Sequence, residues 1–299
     1  MRHVIGIDAG GTKTVGLLAD ETGTVLRDSR GTSANLALQG ELGVEKVIYS
    51  VIDALDPPPV VDAVCLGIAG ADRPKHLDVM RAMTERLGFR ENVRVVNDAV
   101  IALYAGAPDG VGMVLVAGTG SIAWGRDPQG HTARSGGWGY LLGDEASAFW
   151  LGHAAVRQGF RGLDRRGPET SLFERICRKV AAGSAEELAD WFYAQATPRT
   201  SVAELAIVVQ QAADDGDTAA AALLDQAADH LVRSARALLH RLEFPGEFPV
   251  VLAGGTFRAC PGLVPRLTER LDLPGARVER LAVEPARGAV RLALQELDR

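Results

Sequence analysis

The chain has 299 residues, of which 47% are hydrophobic and 23% charged, and this size and composition suit one large or two medium domains with sizeable cores. Its formal net charge of −6 disfavours a nucleic-acid partner. Three cysteines, none spaced as Cys-x-x-Cys, do not make a disulfide framework, and no apolar run approaches the ~20 residues that cross a bilayer. With no signal peptide ahead of the first predicted strand, we expect a cytoplasmic protein with no membrane partner.

The first part of the chain alternates between strand and helix patterns. Residues 3–29 predict three strands, and residues 39–55 predict a helix that must end before Pro57. Residues 60–69 form a nearly continuous apolar run, which is typical of a strand buried on both faces. Three more predicted elements follow, a helix, a strand and a helix, at 75–87, 93–97 and 99–105.

The second part begins with three predicted strands and then becomes helical. The strands lie at 112–117, 121–126 and 131–135, and the clearest helix spans about 217–243. Apolar residues recur in that helix at spacings of three and four and form one stripe, which predicts a core-facing surface. The stripe consists of Leu224, Ala228, Leu231, Ala235, Leu238 and Leu242. A final helix is predicted at about 285–297.

The first two predicted strands are joined by a glycine-rich turn. Its glycines let backbone N–H groups approach an anion, and its other residues add hydroxyls and a positive charge. Asp8 ends the first strand, and a carboxylate beside an anion site makes sense if a metal lies between them, so the turn favours a nucleotide bound with Mg²⁺. The alternatives are a plain hairpin turn and, for the lysine, a solvated side chain. The residues expected to bind the nucleotide here are Gly10, Gly11, Thr12, Lys13 and Thr14.

Two later segments repeat this arrangement of apolar strand and glycine turn. The strand at 114–117 runs into one turn and the apolar run at 249–253 into another. If the first turn and the turn after the strand at 114–117 face each other, they could clamp a triphosphate. Glycines in the third turn, after the run at 249–253, would give a flat ligand access to the backbone. The residues expected to bind the nucleotide here are Gly118, Thr119, Gly120, Ser121, Gly254 and Gly255, although Ser121 could be a plain strand residue. The repetition indicates a duplicated architecture.

These motifs resemble those of the sugar kinase, heat-shock-protein-70 and actin superfamily. Residues 8–14 match its phosphate-1 motif, 118–121 its phosphate-2 motif and 254–256 its adenosine motif. Within the superfamily, VVNDAVIAL and SGGWGYLLGDEASAFWLG resemble segments of the N-acetylglucosamine kinase and BadF/BadG/BcrA/BcrD-type ATPase group. The resemblance runs from Val4 to about Leu294, and the helical region at about 163–245 carries little of it.

The resemblance implies an α/β fold of two actin-like (ribonuclease H-like) lobes with a nucleotide cleft between them. The first lobe would comprise residues 1–112, completed by the C-terminal helix at 286–299. The second would comprise residues 113–285 and carry a helical insert.

Asp98 is the candidate general base. It follows a predicted strand at the end where α/β proteins place ligand sites, and a carboxylate can accept the proton of a hydroxyl that attacks a γ-phosphate. By spacing alone a helix N-cap is the better interpretation, and the resemblance of Asn97-Asp98 to the catalytic segment of the family reverses that choice. Asp8 resembles the aspartate of the superfamily that orients Mg²⁺, usually through water.

Sugar recognition requires short polar groups on several loops. Asn97 could bind sugar hydroxyls or merely hold its turn, and Asp144 could bind sugar or cap a helix with Ser147. The full set of expected substrate-binding residues is Asn35, Gly70, Asp72, Asn97, Asp98, Asp144 and Glu145. Ala146 stands where most relatives carry glycine, and its methyl group could narrow the space for a 2-acetamido group.

The function implied is ATP-dependent phosphorylation of an amino sugar, most readily N-acetylglucosamine to its 6-phosphate, by a homodimer that uses ATP and Mg²⁺. Glucosamine, N-acetylmuramic acid or a plain hexose are alternative substrates. An ATPase activator of a 2-hydroxyacyl-CoA dehydratase or benzoyl-CoA reductase is an alternative of another class, as is a sugar-sensing protein without catalysis. Such an activator holds an iron–sulfur cluster between two subunits and needs paired cysteines, which Cys65 in a strand and Cys177 in a helix do not provide.

Overall fold

The first of two five-stranded sheets is formed by the N-terminal part of the chain. The computed structural model describes residues 1–34, 36–71, 74–194 and 199–297. The strands of this sheet are β1 (His3–Ala9), β2 (Lys13–Asp20), β3 (Val25–Thr32), β4 (Ala63–Ile68) and β5 (Val93–Asn97), in the order β3-β2-β1-β4-β5. Its connecting helices are α1 (Leu36–Ala54), α2 (Pro74–Arg86) and α3 (Asp98–Gly106). Helix α1 begins before the predicted position and is interrupted at Gly40, whose φ of 66° is not helical.

The second sheet repeats the first. Its strands are β6 (Gly112–Ala117), β7 (Ser121–Arg126), β8 (Thr132–Gly136), β9 (Phe248–Ala253) and β10 (Ala276–Arg280), and their order is β8-β7-β6-β9-β10. In each sheet the first three strands are antiparallel neighbours and the last two run parallel to the first. The duplicated architecture expected from the glycine turns is therefore confirmed.

Helices between β8 and β9 form the core of the second lobe together with its sheet. They are α4 (Ala148–Leu163), α5 (Leu172–Val180), α6 (Ala185–Tyr193), α7 (Arg199–Ala203), α8 (Ala206–Asp214) and α9 (Thr218–Leu238), and two short helices, α10 (Thr256–Ala259) and α11 (Leu263–Arg270), follow β9. Asp217 caps α9 through the amides of Ala219 and Ala220, and all six predicted stripe residues are buried. Helix α9 ends earlier than predicted because its last turn tightens to i→i−3 hydrogen bonds at Leu239 and Arg241.

Helix α3 lies between the two sheets, and the last helix, α12 (Ala286–Leu297), packs beside it on the first sheet. Helix α12 packs on β1 and β4, so the chain returns from the second sheet to the first. The contact with α3 is close, because a Cβ at Gly288 would overlap the carbonyl oxygen of Ile101. The opposite side of α3 packs through Ala102 and Leu103 against Val114 and Val251 of the second sheet. Residues at the start of α3 are thereby held relative to both sheets.

Across the described ranges of the chain, every helix is too short or too polar to pass through a bilayer.

Candidate active site

Three neighbouring parallel strands of the first sheet, β1, β4 and β5, end at the same edge. Asp8 lies opposite Gly67 and Asn97 lies opposite Ile68 in the strand register. The carboxyl ends of parallel strands are where α/β proteins bind ligands. This edge brings together Asp8, the exposed Gly70 after β4, and the pair Asn97-Asp98 after β5.

Asn97, and not Asp98, is the N-cap of α3. Its side-chain oxygen accepts a hydrogen bond of 2.9 Å from the amide of Ala99, while the Asp98 carboxylate makes a longer contact of 3.1 Å with the same amide. Asn97 thus caps the helix, and Asp98 is its first residue. Burial raises the pKa of Asp98 to about 6, the backbone amides of Ala99 and Asp98 lower it, and the charge of Asp144 raises it further.

Asp8 is a buried carboxylate with a fractional exposure of 9%. It accepts no hydrogen bond from any described residue, and burial raises its pKa to about 7. The charge of Asp98 adds to this rise, Lys13 opposes it, and Glu284 adds to it weakly. A buried carboxylate of this kind is destabilised until a cation neutralises it, and carboxylate oxygen is the donor that Mg²⁺ prefers. The residues present therefore fit the magnesium ion that the resemblance implies.

Asp144 brings a third carboxylate to the site from the second lobe. Its backbone is left-handed, with φ of 59°, a conformation that Asp tolerates better than most residues and that is often found at functional sites. Burial raises its pKa, against the effect of backbone hydrogen bonds from Ser121 and Gly139 and of the charge of Arg199. A Cβ at Gly120 would lie 2.8 Å from the Asp144 Oδ2 atom, so this carboxylate lies directly against the phosphate-2 turn.

The two phosphate turns meet across the cleft. The hydroxyls of Thr12 and Thr119 are 2.8 Å apart and share a hydrogen bond. The amides of Gly11, Thr12, Thr119 and Gly120 have no acceptor within the part of the chain that the structure describes. Unpaired amides of successive residues in a turn form a concave anion site. The turns thus face each other as expected, and an anion between them would replace the threonine hydrogen bond.

The two glycines of the adenosine turn have different roles. Gly254 has φ of 108°, and a Cβ there would overlap the carbonyl of Ala117 at the end of β6. Its conformation and the close packing of β9 against β6 therefore require glycine. Gly255 is open, because the nearest atom to an added Cβ is the Arg258 Nη2 atom at 3.7 Å. Of the two, only Gly255 keeps the ligand access expected for both.

Two predicted ligand hydroxyls are already used within the protein. Thr14 is fully buried and donates to the Thr32 carbonyl at 2.8 Å, which ties β2 to β3. Ser121 donates to the Glu145 carbonyl at 2.6 Å, which ties the phosphate-2 turn to the loop that carries Asp144. Each side chain holds a turn in place, and the side chain of Glu145 is exposed.

Lys13 is paired with another side chain and is therefore not merely a solvated lysine, while its role at a phosphate stays a prediction. Its ammonium lies 2.8 and 3.0 Å from the two carboxylate oxygens of Glu284, and Arg30 lies 3.2 Å from the same group. Glu284 comes just before α12, where the chain returns to the first sheet. Sequence reasoning missed Glu284 and Arg30, because no local pattern marks the pairing.

The remaining predictions concern the sugar. Asn35 and Asp72 lie outside the described residues. Ala146 is fully buried in the core of the second lobe, so its methyl group does not line the open cleft, and its φ of 66° explains why glycine would suit this position. The reason for doubting an acetylated sugar is therefore removed.

The two lobes of matching strand order, with glycine turns at facing edges and a buried aspartate beside each, define an actin-like ATPase fold. The family model of the BadF/BadG/BcrA/BcrD ATPase family matches residues 5–293, and the chain belongs to this family. It is 32% identical to an N-acetylmuramic acid/N-acetylglucosamine kinase of Clostridium acetobutylicum over 100% of both chains. It is 31% identical to an N-acetyl-D-glucosamine kinase of Dictyostelium discoideum over 97% of each. The crystal structure of a protein from Chromobacterium violaceum, described as a putative N-acetylglucosamine kinase, is 28% identical and superimposes with a TM-score of 0.79, covering 98% of this chain and 99% of that one.

Proposed function

We propose that the protein transfers the γ-phosphoryl group of ATP to the C6 hydroxyl of N-acetylglucosamine, with Asp98 as the general base. That it is an ATP-dependent sugar kinase rests on its family and on two sugar kinases that match it over nearly their whole length. The observation that carries the choice of base is the position of Asp98. It opens the helix between the lobes, its capping role is filled by Asn97, and its raised pKa results from burial beside Asp144.

In this proposal the triphosphate lies between the two turns and receives hydrogen bonds from their unpaired amides. Asp98 accepts the hydroxyl proton as the oxygen attacks phosphorus. A pKa of about 6 keeps Asp98 mostly ionised at neutral pH and makes it a better match to this task than an ordinary aspartate. Magnesium, when bound beside Asp8, would withdraw charge from the phosphate oxygens. Asn97, Asp144, Gly70 and Glu145 are proposed to contact the sugar, as are Asn35 and Asp72 outside the described residues.

The activator alternative is disfavoured by the cysteines. Cys65 in β4 and Cys260 after α10 are both fully buried, and burial raises the pKa of each thiol to about 12. A cluster shared between subunits needs paired thiolates at the surface, and the half-buried Cys177 is the one remaining cysteine. Iron and sulfide in stoichiometric amounts in an anaerobic preparation would contradict the kinase proposal. The homodimer stays a prediction.

The test is ATP-coupled turnover with N-acetylglucosamine, N-acetylmuramic acid, glucosamine and glucose. We expect kcat/KM for N-acetylglucosamine to exceed that for glucose by at least about tenfold, the effect of one buried polar contact of ~1.4 kcal/mol. Product analysis by NMR should place phosphorus on O6. Equal activity on glucose and N-acetylglucosamine would refute the assignment of an acetamido site.

A further inference from the structure

Arg199, the first residue of α7, extends to the loop that carries Asp144. Its guanidinium carbon lies 4.8 Å from the centre of the Tyr140 ring. That ring packs edge-on against Phe149 of α4, with centroids 5.2 Å apart. A planar guanidinium over an aromatic ring is held in orientation as well as in position. Arg199 is thus a fixed cation at the edge of the cleft.

The hydrogen-bonding capacity of Arg199 is unused. Its Nε atom is buried without a partner, and among the described residues its guanidinium forms no hydrogen bond and no ion pair. Two other arginines of the helical insert are paired, Arg175 with Asp215 at 2.6 Å and Arg166 with Asp164 at 2.6 Å. A buried donor left unpaired destabilises a protein unless a ligand or water satisfies it.

The charge of Arg199 acts on Asp144, which the proposed function assigns to sugar binding. It is among the groups that lower the pKa of Asp144, whereas it is not among those that shift Asp8 or Asp98. Arg199 and Asp144 do not form an ion pair in the part of the chain that the structure describes, so the guanidinium acts on this carboxylate from a distance. The guanidinium therefore has no carboxylate paired with it among the described residues.

We propose that Arg199 binds a carboxylate carried by a substituent of the acceptor sugar, so that the enzyme also accepts acidic amino sugars. The inference rests on the proposed kinase function and adds a specificity-determining residue to it. The guanidinium fork matches the two oxygens of a carboxylate, and such a pair satisfies both the unpaired N–H groups and the unpaired charge. A neutral hydroxyl would satisfy only the unpaired N–H groups and would leave the charge unpaired.

The test compares three sugars with four proteins. The sugars are N-acetylmuramic acid, which carries a lactyl carboxylate, its neutral methyl ester, and N-acetylglucosamine. The proteins are the wild type, Arg199→Met, Arg199→Lys and the control Arg157→Met, which removes an exposed arginine from α4. We expect Arg199→Met to lower kcat/KM for the acid by about 10- to 100-fold, the loss of a charge-assisted pair, and to leave N-acetylglucosamine within about threefold. Arg199→Lys should recover part of the loss, and Arg157→Met should change nothing.

The methyl ester tests the effect of the carboxylate charge, because it is the neutral form of the same sugar. Wild type should prefer the acid to the ester by a similar factor, and Arg199→Met should abolish that preference. Wild type that phosphorylates N-acetylglucosamine but not the acid would overturn the role of Arg199 alone, while inactivity on all three sugars would overturn the kinase function as well. Equal loss on all sugars in both Arg199 variants, with melting temperatures unchanged, would mean that Arg199 acts through Asp144 and would also overturn the proposal.

Discussion

Replacing Asp98 with asparagine should lower kcat by orders of magnitude and stabilise the folded protein. As a positioned base, Asp98 should contribute roughly 10²–10⁴ in kcat, and asparagine retains most of its hydrogen-bonding capacity for the sugar. The same carboxylate is destabilising in the folded protein, because burial and the charges of Asp8 and Asp144 oppose its ionisation. Loss of function and gain of stability should therefore accompany each other.

The size of the gain follows from the pKa. The folded value of about 6 lies about two units above the ordinary 3.8, and one unit corresponds to about 1.36 kcal/mol. The ionised group thus lowers the free energy of unfolding by at most ~3 kcal/mol, less whatever solvent screening at this partly exposed site removes. Because the pKa of Asp98 is higher in the folded protein than in the unfolded chain, the destabilisation is absent below pH 3.8, grows as pH rises towards 6, and is complete above pH 6.

The assay is thermal and urea unfolding of both proteins without ligands at pH 7.5 and pH 4.5. Asp98→Asn should unfold several degrees higher at pH 7.5, and the difference should shrink at pH 4.5. Wild-type kcat/KM should fall about tenfold per unit below pH 6 as the base becomes protonated. The control is Asp53→Asn, an exposed carboxylate of α1, which should change neither property. A variant less stable than wild type at pH 7.5, or one that keeps kcat within a few-fold, would refute the reasoning.

Two further predictions concern the turns. Lys13→Met and Glu284→Gln should each lower the free energy of unfolding by about 0.2–1 kcal/mol, since the ion pair is partly exposed. The double variant should lose no more stability than either single variant. A KM for ATP raised tenfold by Lys13→Met would instead mean that the lysine binds phosphate. Gly254→Ala should lower the free energy of unfolding by roughly 1–3 kcal/mol, because its methyl group meets the Ala117 carbonyl in a left-handed backbone. Gly255→Ala is the matched control and should melt like wild type, with any effect confined to ATP affinity measured by calorimetry. Equal melting of the two glycine variants would contradict the packing argument.

The sequence predicted the parts of this molecule that depend on neighbours in the chain. The strand–turn–strand units at Asp8 and Gly118 are local patterns, and so is the apolar stripe of α9; the structure contains all of them. The succession of Asn97 and Asp98 also predicted which residues stand at a strand end. What local spacing could not decide was which of the two caps the helix, since both side chains can accept from the Ala99 amide.

Contacts between distant parts of the chain were beyond prediction from one sequence. Glu284 pairs with a lysine 271 positions away, and the pairing exists only because α12 returns to the first sheet. The need for glycine at position 254 likewise comes from the backbone of β6 and not from a ligand. Arg199 carried no signal, because nothing near it in the sequence shows that α7 lies beside the loop of Asp144.

The three aspartates of the cleft affect both the stability of the folded protein and its ability to bind a cation. Asp8, Asp98 and Asp144 come from different strand or loop ends, all have raised pKa values, and each rise begins with burial. Like charges held together in a partly buried cleft oppose folding, and a bound cation or a shared proton relieves them. A ligand that supplies positive charge at Asp8 would thus stabilise the folded protein beyond the contacts it makes itself. Under the proposed function, the same electrostatic cost that makes the free protein less stable would favour the binding of a nucleotide with its metal ion.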